Sequence, residues 1–349
     1  MNPATDALIQ AAARHERHRE YSSNVPTPFT PPLRDITLRL SVTDACQMRC
    51  LYCRPRLKKA DAPVRPPLPK ERLAALIEQI HRIAPVSKLR ITGGEPLLQQ
   101  HLPEIIAACA AIGVGEIAMT TNAQRLAARA EEVKRAGLDR VNISLDSLDS
   151  DIFAIINGGD LAASLAGVEA ALRCDLRPVK LNMVVLRNYN DHEVGEMLAF
   201  ALHTGCQIRF LELMPIDIGE GAFRRAFVSW DEVFEKIKSD FEALPMPTKP
   251  GATSRDFLVR DRHNRTTLCG FISPSSHPFC EGCNRLRLTC DGRLLGCLGQ
   301  RHSLDLLPAL EASLAGDQRR LKAALTQSLA QKCAPHNLAN QRGMARIGG

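Results

Sequence analysis

Aromatic residues are scarce, at 4% of the 349 residues, with one tryptophan and three tyrosines. A platform that stacks nucleic-acid bases needs rings interleaved with basic side chains. No stretch of this chain has them, so a nucleic-acid partner is not expected. No apolar run is long enough to span a bilayer, and the first residues lack the charged-then-apolar layout of a secretion signal. The expectation is a cytoplasmic protein with no membrane partner. A disulfide frame is not expected either. Cys109, Cys174, Cys206, Cys269, Cys290 and Cys333 are scattered, most of them through helix-like or strand-like patterns, as thiols are in a reducing compartment.

What the chain does have is positive charge and clustered thiols. The formal net charge is +7, which suggests an anionic partner. Without a nucleic-acid platform, a small phosphorylated substrate is the better match. The length allows one large domain or two ordinary ones.

Strand-like runs at 36–41, 88–92, 116–121, 140–144, 179–185 and 207–213 alternate with helix-like runs at 70–83, 102–112, 125–136, 161–174 and 193–204. Gly113, Gly137 and Gly205 stand just past three of the helical patterns, where helices commonly stop. Repeated β-α units at this spacing predict a parallel sheet with outer helices, either open or curved as a partial barrel. Ligands gather at the C-terminal strand ends of such sheets. Further strands are expected at 253–259 and 265–272, and helices within 223–241, 304–314 and 317–331.

The first strand runs into Cys46, Cys50 and Cys53, spaced C-x3-C-x2-C. Thiolates so spaced curl around one soft metal centre, and iron–sulfur clusters take such ligands. Three ligands leave one corner of a four-iron cubane open to a small chelator such as S-adenosylmethionine. A zinc knuckle is the competing reading, but zinc usually takes four ligands, and the nearest histidine is His81. Thr92-Gly93-Gly94-Glu95-Pro96 follows the second strand, and its glycine amides are candidates to bond a methionine moiety. Cys280, Cys283 and Cys297 make a second triplet, C-x2-C-x13-C. Cys290 or Cys269 would complete a four-thiolate zinc site here; an open iron would hold a substrate heteroatom instead. Arg285 and Arg287 stand two apart on an expected strand and so share a face, a pairing suited to phosphate. Arg39, Arg90, Lys180 and Arg209 lie inside otherwise apolar strands, where a charge costs desolvation unless it is used.

In this order the cysteine loop, 90–96, Thr120-Thr121-Asn122, 142–146, 209–214, the second triplet and the Gly348-Gly349 end resemble the GTP 3′,8-cyclase family. These are radical S-adenosylmethionine enzymes of molybdenum cofactor synthesis, and the resemblance covers about 35–349. It implies an α/β fold: an incomplete (β/α)6 TIM-like barrel of the radical S-adenosylmethionine type at 34–215. An extension at 1–33 precedes it; a C-terminal Fe–S-binding region at 216–338 and a Gly-Gly tail at 339–349 follow. It also implies two [4Fe–4S] clusters, on Cys46, Cys50 and Cys53 and on Cys280, Cys283 and Cys297. S-adenosylmethionine contacts fall at Tyr52, Gly94, Ser144 and Met214. GTP contacts fall at Arg39, Arg90, Thr120, Lys180, Arg285, Leu286 and Arg287. Catalytic parts fall to Arg285, Arg287, Gly348 and Gly349.

In the implied reaction a 5′-deoxyadenosyl radical takes hydrogen from C3′ of the GTP ribose. The C3′ radical joins guanine C8, and an electron and a proton complete 3′,8-cyclo-7,8-dihydro-GTP. The implied partners are an external one-electron reductant and a downstream cyclic pyranopterin monophosphate synthase; a homodimer stays open. Ala123 stands where the family often has glycine. Two alternatives remain: a peptide-modifying radical maturase with an auxiliary cluster, and a zinc-stabilised binding protein without catalysis.

Overall fold

The computed structural model describes residues 33–53, 66–216, 218–248, 251–280, 282–300 and 302–332. Residues 1–32 of the expected extension, Cys333 and the Gly348-Gly349 end lie outside them. Six strands form the centre: β1 Ile36–Ser41, β2 Val86–Thr92, β3 Glu116–Thr121, β4 Arg140–Ser144, β5 Lys180–Val185 and β6 Gln207–Glu212. Each pairs in parallel with the next. The helices between them are α1 Lys70–Ile83, α2 Leu102–Ala111, α3 Leu126–Arg135, α4 Ser150–Asn157, α5 Leu161–Arg173 and α6 Val194–Thr204. The sequence pattern gave no helix at α4. It is short, and what defines it is its N-cap: the Asp149 carboxylate accepts from the amides of Asp151 and Ile152, a strong start signal.

The C-terminal region continues this sheet rather than forming its own. After α7 Glu220–Ala226 and α8 Trp230–Lys238 come β7 Glu242–Pro245, β8 Arg255–Arg260 and β9 Thr266–Ile272. β9 lies parallel to β6 and carries β8 and β7 antiparallel beyond it. β10 Arg285–Leu288 lies parallel to β1 on the other flank, followed by β11 Arg293–Leu295 and β12 Leu304–Asp305. One twelve-stranded sheet results, running from β12 to β7, and the barrel is not closed. Helices α9 Leu307–Leu314 and α10 Arg319–Ala330 complete the order.

The central strands have two faces. Leu38, Leu40, Ile91, Met119, Ile143, Met183 and Phe210 are buried in one core with the helices. Each such side chain contributes about 1.5–3 kcal/mol by leaving water. Most of the alternate positions are polar, Arg39, Arg90, Asn142, Lys180 and Arg209 among them, and they line the inner face. Strand alternation also decides Leu286. It pairs with Leu38 and is fully buried in the same core, so the expected GTP contact cannot come from its side chain. Among the described residues no single helix is long and apolar enough to cross a membrane.

Ala123 adopts φ 62, a left-handed backbone that costs a non-glycine residue about 1 kcal/mol. That explains why a glycine suits the position. Ala123 is also pinned from outside: a Cβ on Gly167 of α5 would stand 2.5 Å from the Ala123 carbonyl oxygen. Gly167→Ala is expected to destabilise by about 1–3 kcal/mol through this overpacking, read as a lower Tm. An unchanged Tm would mean that α3 and α5 separate freely.

Candidate functional site

The cysteine loop leaves the top of β1, and its order is borrowed from neighbouring strand ends. Val42 N–H donates to Thr92 O (3.0 Å), Gly94 N–H to Thr43 O (2.8 Å) and Glu95 N–H to Ala45 O (2.8 Å). A Cβ on Gly93 or Gly94 would come within 2.3 Å or 2.2 Å of the loop's own carbonyl oxygens. The glycine pair is therefore needed so that the loop can dock. The Gly94 amide is spent on that docking, which removes it from the expected bond to a methionine moiety. Buried Glu95 ties in a third strand end: its carboxylate accepts from Thr121 Oγ1 (2.6 Å) and Asn122 N–H (2.7 Å). Burial nevertheless keeps its pKa above the usual carboxylate range.

The second wall is built around Asp146, which is fully buried. It accepts from Tyr52 Oη (2.6 Å), Asn157 Nδ2 (2.6 Å) and Val184 N–H (2.8 Å). Asn157 Nδ2 also lies 3.4 Å from Cys50 Sγ, and Asn122 Nδ2 lies 3.8 Å from Cys46 Sγ. Burial, then the Asp146 charge, push the Cys50 thiol up to about 12. Its ionised form therefore calls for a bound cation. Cys46, Cys50 and Cys53 are half-buried. Among the described residues no three such donors are drawn in tightly enough for a single metal ion. The triplet, its acid-lined wall and the buried, unpartnered Asn157 Oδ1 suit a larger thiolate-bound group with polar ligands of its own.

The inner face of the sheet is cationic. Arg287 on β10, Arg39 on β1 and Arg90 on β2 stand in one register row. Burial lowers the Arg39 pKa well below its usual value, and Arg287, Arg285 and Arg90 lower it further. Burial, then Arg209 and Arg140, bring Lys180 down to about 7. Burial takes Arg209 to about 10, against the opposing pull of Asp256. Arg209 also feels Arg90 and Arg140 from β2 and β4, so these side chains share one hollow. Glu116 and Asp256 are acids among them. Glu116 faces two of the arginines. Burial opposes its ionisation, but Arg140 (3.0 Å) and Arg90 outweigh this and hold it at about 2. Asn182 Oδ1 is buried without a hydrogen-bond partner, in the register row of Ser144 and Arg209. An unsatisfied buried acceptor calls for an explanation, such as a ligand donor.

The second triplet belongs to the opposite end of this hollow. Cys283 immediately precedes β10, and Cys297 follows β11, which runs back antiparallel. The Cys280 pKa is raised by burial and by Cys297 and Cys283. Burial would raise Cys283 too, but Arg285 and Lys332 outweigh it and its pKa falls. Arg285 donates to Gly251 O (3.0 Å) and lies over the Phe279 ring. Burial lowers Arg287 to about 10, with Cys297 pulling the other way. Cys269 lies on β9 with its side chain buried in the apolar core, and is thereby removed as a fourth ligand.

Of the residues expected from sequence, Arg39, Arg90, Thr120, Lys180, Arg285 and Arg287 share the inner face with Ser144, and Met214 follows β6. Tyr52 spends its hydroxyl on Asp146. Sequence reading missed Arg140, Asn182 and Lys332. Arg140 and Asn182 keep the inner-face alternation of Asn142 and Lys180, so a strict period-two reading finds them. Lys332, past the last helix, has no such signal.

The description "Radical SAM superfamily" matches residues 40–201, and "Molybdenum Cofactor Synthesis C" matches 206–338. The GTP 3′,8-cyclase of Marinobacter nauticus is 39% identical over 311 residues, 87% of this chain and 91% of that protein. That of Pseudomonas putida strain GB-1 is 40% identical, over 86% and 89%. That of Alkaliphilus oremlandii is 35% identical, over 89% and 97%. Among solved structures, Streptococcus suis SuiB bound to S-adenosylmethionine has a TM-score of 0.59 at 14% identity, covering 81% of this chain and 66% of that one. This last likeness is one of fold.

The docking of the loop on the glycine pair generates a test. Gly94→Ala should leave the circular dichroism of the fold intact yet lower the iron taken up on reconstitution. Full iron uptake would show that the loop does not depend on this contact.

Proposed function

The chain belongs to the GTP 3′,8-cyclase family of radical S-adenosylmethionine enzymes, which catalyse the first step of molybdenum cofactor biosynthesis, and on that premise we propose how its residues divide the work. Cys46, Cys50 and Cys53 hold one [4Fe–4S] cluster and Cys280, Cys283 and Cys297 hold a second, with GTP in the cationic hollow between them. The observation that carries this reading is the register row Arg287–Arg39–Arg90. It sets guanidinium groups side by side, partly out of water, between the two triplets. When bound, the first cluster and S-adenosylmethionine supply hydrogen-abstracting radical chemistry to the site.

The chain itself binds, orients and excludes water. Arg39, Arg90, Lys180 and Arg209 offset the triphosphate charge, and the anion in turn relieves their mutual repulsion. Arg285 and Arg287 reach the substrate beside the second triplet. Ser144, Met214 and the Tyr52 ring flank S-adenosylmethionine, with Asp146 fixing Tyr52. Thr120 and Asn182, whose Oδ1 has no hydrogen-bond partner, are further polar contacts for the bound molecules. The Gly348-Gly349 tail takes a catalytic part from outside the described residues. An external one-electron reductant starts the cycle, and a cyclic pyranopterin monophosphate synthase consumes the product.

Reconstituted protein should hold about eight irons per chain; zinc without iron would defeat the reading. Cys46→Ala should abolish deoxyadenosine formation. Cys283→Ala should keep S-adenosylmethionine binding and lose GTP conversion, and normal cyclisation by that variant would reject the second cluster's role. Lys180 supplies a pH test. Free, it is half-protonated near pH 7, whereas a bound phosphate favours the cation, so binding takes up a proton. Its contribution to GTP affinity should be flat below about pH 7 and fall above it, by up to about tenfold per pH unit. Lys180→Arg should flatten that fall, and an identical pH profile would remove Lys180 from the phosphate site.

A further inference from the structure

The second triplet has a buried lysine beside it. Lys332 follows α10 and is 5% exposed. Its Nζ lies 3.2 Å from Cys283 Sγ and also donates to the Arg285 carbonyl oxygen. Lysine is seldom buried without a partner, because the ammonium gives up its hydration. Here the partners are a thiol sulfur and a backbone oxygen, so the interaction is strongest when the sulfur carries negative charge. The carbonyl bond fixes the ammonium to the strand that bears Arg285 and Arg287. Around Cys50, by contrast, the polar neighbours are the neutral Asn157 and, behind it, the acid Asp146.

We propose that Lys332 is a positioning residue for the second triplet: its ammonium clamps Cys283 and sets the local charge, making the group bound there easier to reduce. The inference rests on the reading that this triplet holds an iron–sulfur cluster. Reduction adds one negative charge to such a group, and a cation at hydrogen-bond distance from a ligand sulfur stabilises the added charge. Beside Cys50 stands an acid, Asp146, instead. The second site is left disposed to keep negative charge beside an anionic substrate.

The test uses the full chain carrying Cys46→Ala, Cys50→Ala and Cys53→Ala, so that the remaining signal comes from the second triplet, at about four irons per chain. Midpoint potentials are read by electron paramagnetic resonance during a dithionite titration. Lys332→Gln should shift the midpoint to lower potential, and Lys332→Arg should leave it close to the parent. Loss of iron from Lys332→Gln but not from Lys332→Arg also supports a required cation. An unchanged potential in fully loaded Lys332→Gln overturns the role of Lys332 and leaves the cluster reading standing. Loss of iron from both variants overturns it too, since packing alone would then be at stake. If the parent takes up no iron, the two-cluster reading falls and this inference with it.

Discussion

Positive charge gathered on the inner face of a sheet, with too little acid to balance it, is the constraint on which the rest of this structure depends. Arg287, Arg285 and Arg90 all act on Arg39, and around Lys180 burial with Arg209 and Arg140 outweighs Asp256 and Glu116. Such a face opposes folding, because each cation loses hydration and repels the next. The opposite face makes it tolerable. There Leu, Ile, Met and Phe side chains from the same strands are sealed under helices, and their burial outweighs the repulsion. Strand alternation thus divides the two tasks, with stability on one face and affinity for an anion on the other.

The cysteine loop obeys a second rule. It has no regular structure of its own and is held by other elements. Gly94 and Glu95 receive its backbone, Asn122 and Asn157 reach its sulfurs, and Asp146 anchors Tyr52. Four sequence motifs that look separate along the chain are one hydrogen-bonded assembly. The Glu95 carboxylate joins the glycine turn to Thr121 and Asn122, and Asn157 joins α4 to both Asp146 and Cys50. Buried polar networks of this kind tie several elements into one geometry.

Much of this was legible from sequence because period-two and period-3.6 patterns report directly on burial. The strands 36–41, 116–121 and 140–144 fall where alternation put them, and the cysteine spacings located both triplets. What remained hidden depended on long-range pairing. That β9 and β10 would join the flanks of the first sheet, rather than build a second one, is settled by partners distant in sequence. Which face the Leu286 side chain takes was hidden for the same reason, since it depends on register with Leu38. β7, a short strand next to a proline-rich stretch, carries too little pattern to stand out. Lys332 reads as an ordinary basic residue near a helix end until Cys283 is brought to it.

The pairing of β10 with β1 also orders the protein's own assembly in time. A ribosome releases β1 and the first cysteine loop long before it makes the strand that completes their neighbourhood. For most of synthesis the inner edge of β1 is an unpaired strand edge, the kind of surface on which chains aggregate. The nascent barrel therefore stays open on that side until the C-terminal region arrives, and the second triplet takes shape in the same event that closes the edge.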